Sequence, residues 1–293
     1  MPKFQAFLHS MTRIQFSRSQ NERTVSTMPI QRPLAAVVTA GGIPRPEDPL
    51  YPLTQGRNKA LLEIAGQPML QWVLDALSGA ETIDYVVVVG LPDDAHAFTC
   101  AKPMQFLPNQ GSMLGNVEAG VKAVLAEDAT RAHTLLVSSD IPAITPAIVN
   151  WTVNTALTTD HEASYSLITE ADMERRFPGA HRSYFTLKEG RFCGGDMTLI
   201  QTALVTHYSP AWNTIVGARK NILKQAGLIG FDTLLRMALG RLSIAGAEQA
   251  ALRRLQVRGR ALRCPYAEAG MDIDKPHQYE LVQADLAQRA AAI

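Results

Sequence analysis

The sequence predicts an α/β fold: a Rossmann-like, mostly parallel sheet flanked by helices, with a smaller mixed insertion. Three observations predict it. Leu34–Thr39, Ile83–Val89 and Thr134–Ser138 are short runs, apolar at nearly every position, as strands buried on both faces are. Segments with apolar residues at helical spacing lie between them. Glycine, proline and polar clusters separate the two kinds of segment. Strands alternating with helices in this way imply βαβ units.

The elements follow in order. Leu34–Thr39 is a strand that breaks into the turn Ala40-Gly41-Gly42. A polar loop with Pro44, Pro46, Pro49 and Pro52 leads to Lys59, placed before a second apolar strand that ends at Gly66. Gln67-Pro68 opens a helix, with proline in the first turn where no N–H is needed, and Met69, Trp72, Val73 and Leu77 form its apolar stripe. Strands follow at 83–89 and 104–107, a helix at 112–125, a strand at 134–138 running into Asp140-Ile141-Pro142, and a helix at 145–156. Beyond residue 160 the pattern changes. Residues 163–169 and 183–187 read as strands, the second entering a hairpin through Lys188–Arg191. Residues 201–255 read as helical, 261–266 as a return strand, and Pro276 opens a last helix.

Residues 1–33 stand apart, with Lys3, Arg13, Arg18, Arg23 and Arg32 against the single acid Glu22. They are expected to be a disordered tail or an over-extended start, with translation beginning at Met28; a transit peptide shares this composition. Residues 34–293 are expected to form a single domain. Its nucleotide-binding half is 34–160, its acceptor half with a helical insertion is 161–260, and 261–293 hold the return strand and C-terminal helix.

Composition narrows the function. A net charge of +1 over 293 residues gives no sign of a nucleic-acid or membrane partner. Aromatic residues at 6% argue against base-stacking platforms. No apolar run approaches a bilayer span. Cys100, Cys193 and Cys264 form no C-x-x-C pair, which suits a reducing cytoplasm. No feature of the chain fixes an oligomeric state.

Four places can carry chemistry. Gly41-Gly42 sit where backbone N–H groups approach a phosphate chain, although a plain tight turn has the same sequence. Lys59, beyond the loop, is either a surface lysine or one that reaches back to phosphates held by that turn and neutralises a leaving pyrophosphate. Asp140 lies at the carboxyl end of a strand, where open α/β sheets bind ligands; it is either a Mg²⁺ ligand or a helix cap. Asp272 and Asp274 are two apart, so in a strand both carboxylates face one side and want a cation between them; alternatively Asp274 caps the helix that Pro276 begins.

Together these blocks resemble the nucleotidyltransferase superfamily that includes molybdenum-cofactor guanylyltransferases and sugar-phosphate nucleotidyltransferases. The matching stretches are Ala40-Gly41-Gly42, Asn58-Lys59-Ala60-Leu61, Gly66-Gln67-Pro68-Met69-Leu70, Asp140-Ile141-Pro142 and Asp272-Ile273-Asp274-Lys275-Pro276. The chain departs from that pattern in the glycine turn, in Asn58 where the family has proline, and in Lys275 where it has threonine; Arg45 or Arg57 stands in for the family's phosphate-binding arginine. The resemblance implies Lys59, Asp140 and Asp274 as catalytic residues and Mg²⁺ on Asp140, Asp272 and Asp274. It places the nucleotide on Ala40, Gly41, Gly42, Gly111 and Asn116, and an anionic acceptor near Arg182 and Lys220. The implied partners are an NTP and a phosphorylated small molecule, joined with release of pyrophosphate. Two other readings remain open: a glycosyltransferase using Asp272-Ile273-Asp274 as a D-x-D metal motif, and a nucleotide-binding regulatory protein without catalysis.

Overall fold

The computed structural model describes residues 33–91, 97–207, 233, 235, 236 and 239–291. The expected tail before Pro33, Lys220 and much of the helical 201–255 region lie outside the described residues.

The centre of the sheet is β1 (Leu34–Thr39), an unbroken apolar run because both its faces are covered. Ala36 and Val38 face one layer and Ala35 and Val37 the other, all at 0% exposure. Two further strands frame it: β4 (Ile83–Val89) and β6 (His133–Ser138) pair with β1 in parallel, and β5 (Met104–Leu107) continues the sheet beyond β4. On one face lie α2 (Met69–Gly79), α4 (Pro146–Leu157) and α8 (Pro276–Ala291), over the larger apolar cluster. On the other lies α3 (Met113–Glu127), whose Val117, Val121 and Val124 pack on Val37 and Val89. Burying each such side chain contributes about 1.5–3 kcal/mol before ordering costs.

The second half adds β7 (Ala163–Thr169), β8 (Phe185–Leu187), β9 (Gly190–Gly194), β10 (Met197–Gln201) and β11 (Gly259–Arg263). The sheet of nine described strands runs β5-β4-β1-β6-β10-β7-β9-β8, with β11 beside β7. Its first half is wholly parallel; antiparallel pairing begins at β10. The insertion is therefore mixed, as the change of pattern after residue 160 suggests. Sequence reading missed β10, which enters the sheet between β6 and β7. It also missed α5 (Glu170–Arg176), which Thr169 caps by accepting from the Asp172 N–H.

Several boundaries need correction. Lys59 begins not a strand approach but a 3₁₀ turn, Lys59–Leu61. The expected second strand is a two-residue hairpin, β2 (Glu63–Ile64) with β3 (Gln67–Pro68), closed by Ala65 and Gly66, both at positive φ. Pro68 is consequently the N-cap of α2 and not a first-turn residue. Residues 271–274 join no ladder, so the two aspartates do not sit on a strand.

Candidate active site

Strand register brings the functional segments to one edge. Thr39 is level with Val89 and with Ser138, so the chain leaves β1, β4 and β6 at the same height. Antiparallel β10 enters at that height: the Ser138 N–H donates to the Asp196 carbonyl at 3.0 Å. The Ile273 N–H donates to the Asp140 carbonyl at 3.0 Å, tying the C-terminal aspartate segment to the same edge.

The glycine turn is a close crossing of two chains. A Cβ on Gly90, at φ +119°, would lie 2.3 Å from the Gly41 nitrogen. One on Gly41 would lie 2.5 Å from the Asn116 side chain. The turn is held from below by Asn58, whose buried amide donates to the Ala40 and Gly90 carbonyls at 2.7 and 3.2 Å. Asn58 also accepts from the Ala60 N–H at 2.9 Å, and the Lys59 N–H donates to Gly42 at 2.7 Å. Thus the carbonyls are engaged, whereas neither the Gly41 nor the Gly42 N–H meets an acceptor among the described residues. Such amides suit an anion. Beside them, buried Asn116 accepts from the Gln110 N–H at 2.7 Å, and Asn109 bridges the Gly41 carbonyl and the Gly111 N–H. Gly111 sits at φ +75°. Ser112 caps α3 by accepting from the Gly115 N–H.

Lys59 is not a surface lysine. Its side chain is 13% exposed, and its ammonium donates to Asp140 at 2.8 Å and Asp274 at 2.6 Å. Burial pulls its pKa down, but the two facing carboxylates outweigh burial and hold it above the ordinary lysine value. Asp140 also accepts from the Ser138 hydroxyl. The helix after Asp140 is capped by Thr145, which removes the capping role considered for Asp140. Likewise, the Asp274 and Lys275 N–H groups are taken by the Gln278 side chain, and the Asp274 carboxylate turns to Lys59.

Asp140, Asp272 and Asp274 each place a carboxylate oxygen within 4.8 Å of the others. Although off any strand, Asp272 and Asp274 converge, held by Lys59 and Arg182. Arg182 forms an ion pair with Asp272 in the interior of this cluster. Arg182, expected near the acceptor, thus stands beside the carboxylates. Asp196, which the resemblance puts only in the region of the second substrate, lies close enough to feel the charges of Asp272, Asp140 and Asp274. Burial, then the Asp272 and Asp140 charges, push its pKa up against the pull of Arg182. Burial pushes Asp272 up as well, opposed by Arg182. Burial also works against the Asp274 anion, but Lys59 prevails and holds its pKa below the usual carboxylate range.

Four carboxylates thus gather around two cations, and a divalent ion among them would relieve the burial and mutual repulsion that push Asp196 and Asp272 up. An all-oxygen carboxylate set is what Mg²⁺ takes together with phosphates and water. Arg57 donates to the Thr54 carbonyl and Arg45 is exposed, so neither stands in the cluster.

Comparison with known proteins agrees with the architecture. A family model described as the MobA-like NTP transferase domain matches residues 36–257. The chain is 36% identical over 73 residues to 2-C-methyl-D-erythritol 4-phosphate cytidylyltransferase of Prochlorococcus marinus (strain MIT 9313), covering 23% of this chain and 32% of that one. It is 32% identical over 90 residues to the enzyme of the same name from Synechocystis sp. (strain ATCC 27184 / PCC 6803 / Kazusa), covering 26% and 39%. The chain therefore spans only about a third of the length of these curated relatives. A hypothetical transferase from Thermus thermophilus superposes with a TM-score of 0.73 at 34% identity, covering 85% of this chain and all of that one. CMP:2-keto-3-deoxy-manno-octonic acid synthetase, solved with CTP, superposes at 0.57 with 15% identity over 88% of this chain and 100% of that one, a likeness of fold alone.

Proposed function

The chain belongs to the MobA-like NTP transferase domain family, and from that premise we propose that it is a Mg²⁺-dependent nucleotidyltransferase. It transfers a nucleoside monophosphate from an NTP to a phosphorylated small molecule and releases pyrophosphate. The observation that carries this reading is Lys59, sheltered between Asp140 and Asp274 and joined through its backbone to the glycine turn.

Each residue then has a task. The free N–H groups of Gly41 and Gly42 receive triphosphate oxygens, with Ala40 packed beneath them. Gly111 and Asn116 border the base and ribose. Asp140, Asp272 and Asp274 would hold Mg²⁺, which when bound neutralises phosphate charge. Lys59 stabilises the charge that grows on the leaving pyrophosphate. A phosphate oxygen of the acceptor attacks the α-phosphorus in line; that P–O bond forms as the bond to the bridging pyrophosphate oxygen breaks. Positioning does most of the work. The nucleotide half is 34–160, and the acceptor lies over the 161–260 half. Cys193 and Cys264 are buried and free, in keeping with a cytoplasmic enzyme, and among the described residues no helix is long and apolar enough to cross a membrane.

The test is a pyrophosphate-release screen of the four common NTPs against phosphorylated acceptors with Mg²⁺. Turnover of one NTP with one acceptor supports the proposal. Consumption of a nucleotide-sugar without pyrophosphate would support the glycosyltransferase reading instead, and tight NTP binding with no turnover on any acceptor would support a regulatory protein.

A further inference from the structure

The sheet face opposite α2 and α4 carries a cavity of about 900 Å³. Its floor is the outward face of β6, β10 and β7, with Leu136, Thr198 and Ile200 among the lining residues. Its far wall is α7 (Ile244–Leu255). Its near end is formed by Thr39, Ser138 and Asp196, the strand ends that carry the carboxylate cluster. Among the described residues most of the lining surface is apolar; Ser164, Thr198 and Arg254 also reach it, and the Arg260 side chain is paired with Glu248 at 3.6 Å. Two large side chains bordering it, Met113 and Tyr165, stay 49% and 47% exposed.

This shape does not suit a polyol. Ligand cavities run from about 300 to 1,000 Å³, so this one lies near the upper end of that range. A small hydroxylated acceptor would leave most of the apolar wall unfilled. The nucleotide has its polar border elsewhere, at Asn109, Gly111 and Asn116 beside the glycine turn. An apolar body with an anionic end, placed at the carboxylate edge where Mg²⁺ would neutralise it, fits this cavity better. We propose that the acceptor is a phosphate monoester of a largely hydrocarbon alcohol, with its phosphate at the Ser138–Asp196 end and its chain along β10, β7 and α7. This rests on the nucleotidyltransferase reading and names its substrate class.

The test separates the two. Binding of farnesyl phosphate and of 2-C-methyl-D-erythritol 4-phosphate to the full chain with Mg²⁺ is measured by calorimetry, alongside NTP binding and pyrophosphate release. Burial of the hydrocarbon should make farnesyl phosphate bind tighter by about tenfold or more. Ala261→Trp, which fills the cavity from β11, should abolish that advantage and leave NTP affinity unchanged; if the variant does not fold, Ala251→Phe on α7 fills it from the opposite wall. Equal or weaker binding of farnesyl phosphate, or an advantage that survives a folded cavity-filling variant, overturns the proposal. Absence of pyrophosphate release with every acceptor refutes the transferase reading, while the chain-dependent binding still decides the cavity.

Discussion

Replacing Lys59 by Met keeps most of the side chain's volume and removes its charge. Two charge-assisted hydrogen bonds are lost, at 2.8 Å to Asp140 and 2.6 Å to Asp274. Asp140 is only 19% exposed, so that bond contributes about 1.5–3 kcal/mol. Asp274 is 58% exposed and screened by water, so its bond contributes about 1 kcal/mol or less. The variant should be destabilised by about 2–4 kcal/mol, a fall in Tm of about 5–10 °C. Because the Lys59 pKa is raised, this stabilisation is complete at neutral pH and is lost only as pH climbs above 10.5. Saturating Mg²⁺ should narrow the deficit, since a divalent ion neutralises the same carboxylates. Turnover should fall about a hundredfold, equivalent to about 3 kcal/mol of leaving-group stabilisation, with a smaller change in KM for NTP. Arginine at this position should restore part of the rate only, because its planar fork does not match a compact ammonium. The assays are thermal unfolding with and without Mg²⁺ and steady-state kinetics with NTP varied. An unchanged Tm together with a near wild-type kcat would refute the role given to Lys59.

Three further predictions follow from the same geometry. Asp140→Asn and Asp274→Asn should each abolish turnover while the far-UV spectrum stays native; normal turnover in either removes that residue from the metal site. Without divalent ions, Asp196, whose folded pKa lies above its unfolded value, stabilises the fold at low pH and loses that contribution as pH rises through about 8. Asp196→Asn should therefore gain stability relative to wild type at alkaline pH and show less stabilisation by Mg²⁺, measured as paired melting curves across pH; identical curves would contradict it. Asn58→Ala leaves the buried Ala40 and Gly90 carbonyls without the Asn58 donor and should cost about 2–4 kcal/mol in denaturant unfolding, whereas a loss under about 0.5 kcal/mol would deny that Asn58 holds the turn.

The first half of the domain, residues 34–160, is legible because its signals are local. Strands buried on both faces write themselves as unbroken apolar runs, so β1, β4 and β6 can be read from Leu34, Ile83 and Thr134 onward. Caps at Ser112 and Thr145 are single-residue chemistry. The second half was harder. Strand β10 is short, and its place between β6 and β7 depends on partners distant in sequence. The same distance hid Asp196, since nothing in Gly194-Gly195-Asp196 says that β10 delivers it beside Asp140. Asn58 read as a departure from a family pattern, yet its amide is the joint between the glycine turn and Lys59. Asp272 and Asp274 converge through Lys59 and Arg182 and not through the alternation of a strand, which is why their spacing alone does not show how they meet.

Movement of a nucleotidyl group from NTP to a phosphate acceptor can be followed directly. The most direct measurement follows an NTP labelled at the α-phosphorus, with Mg²⁺ and the acceptor that supports turnover. The label should appear in a new diphosphate linkage on the acceptor, with one pyrophosphate released for each label transferred, and Asp140→Asn should stop both. Label that remains in free nucleotide, or pyrophosphate released without a labelled adduct, would contradict it.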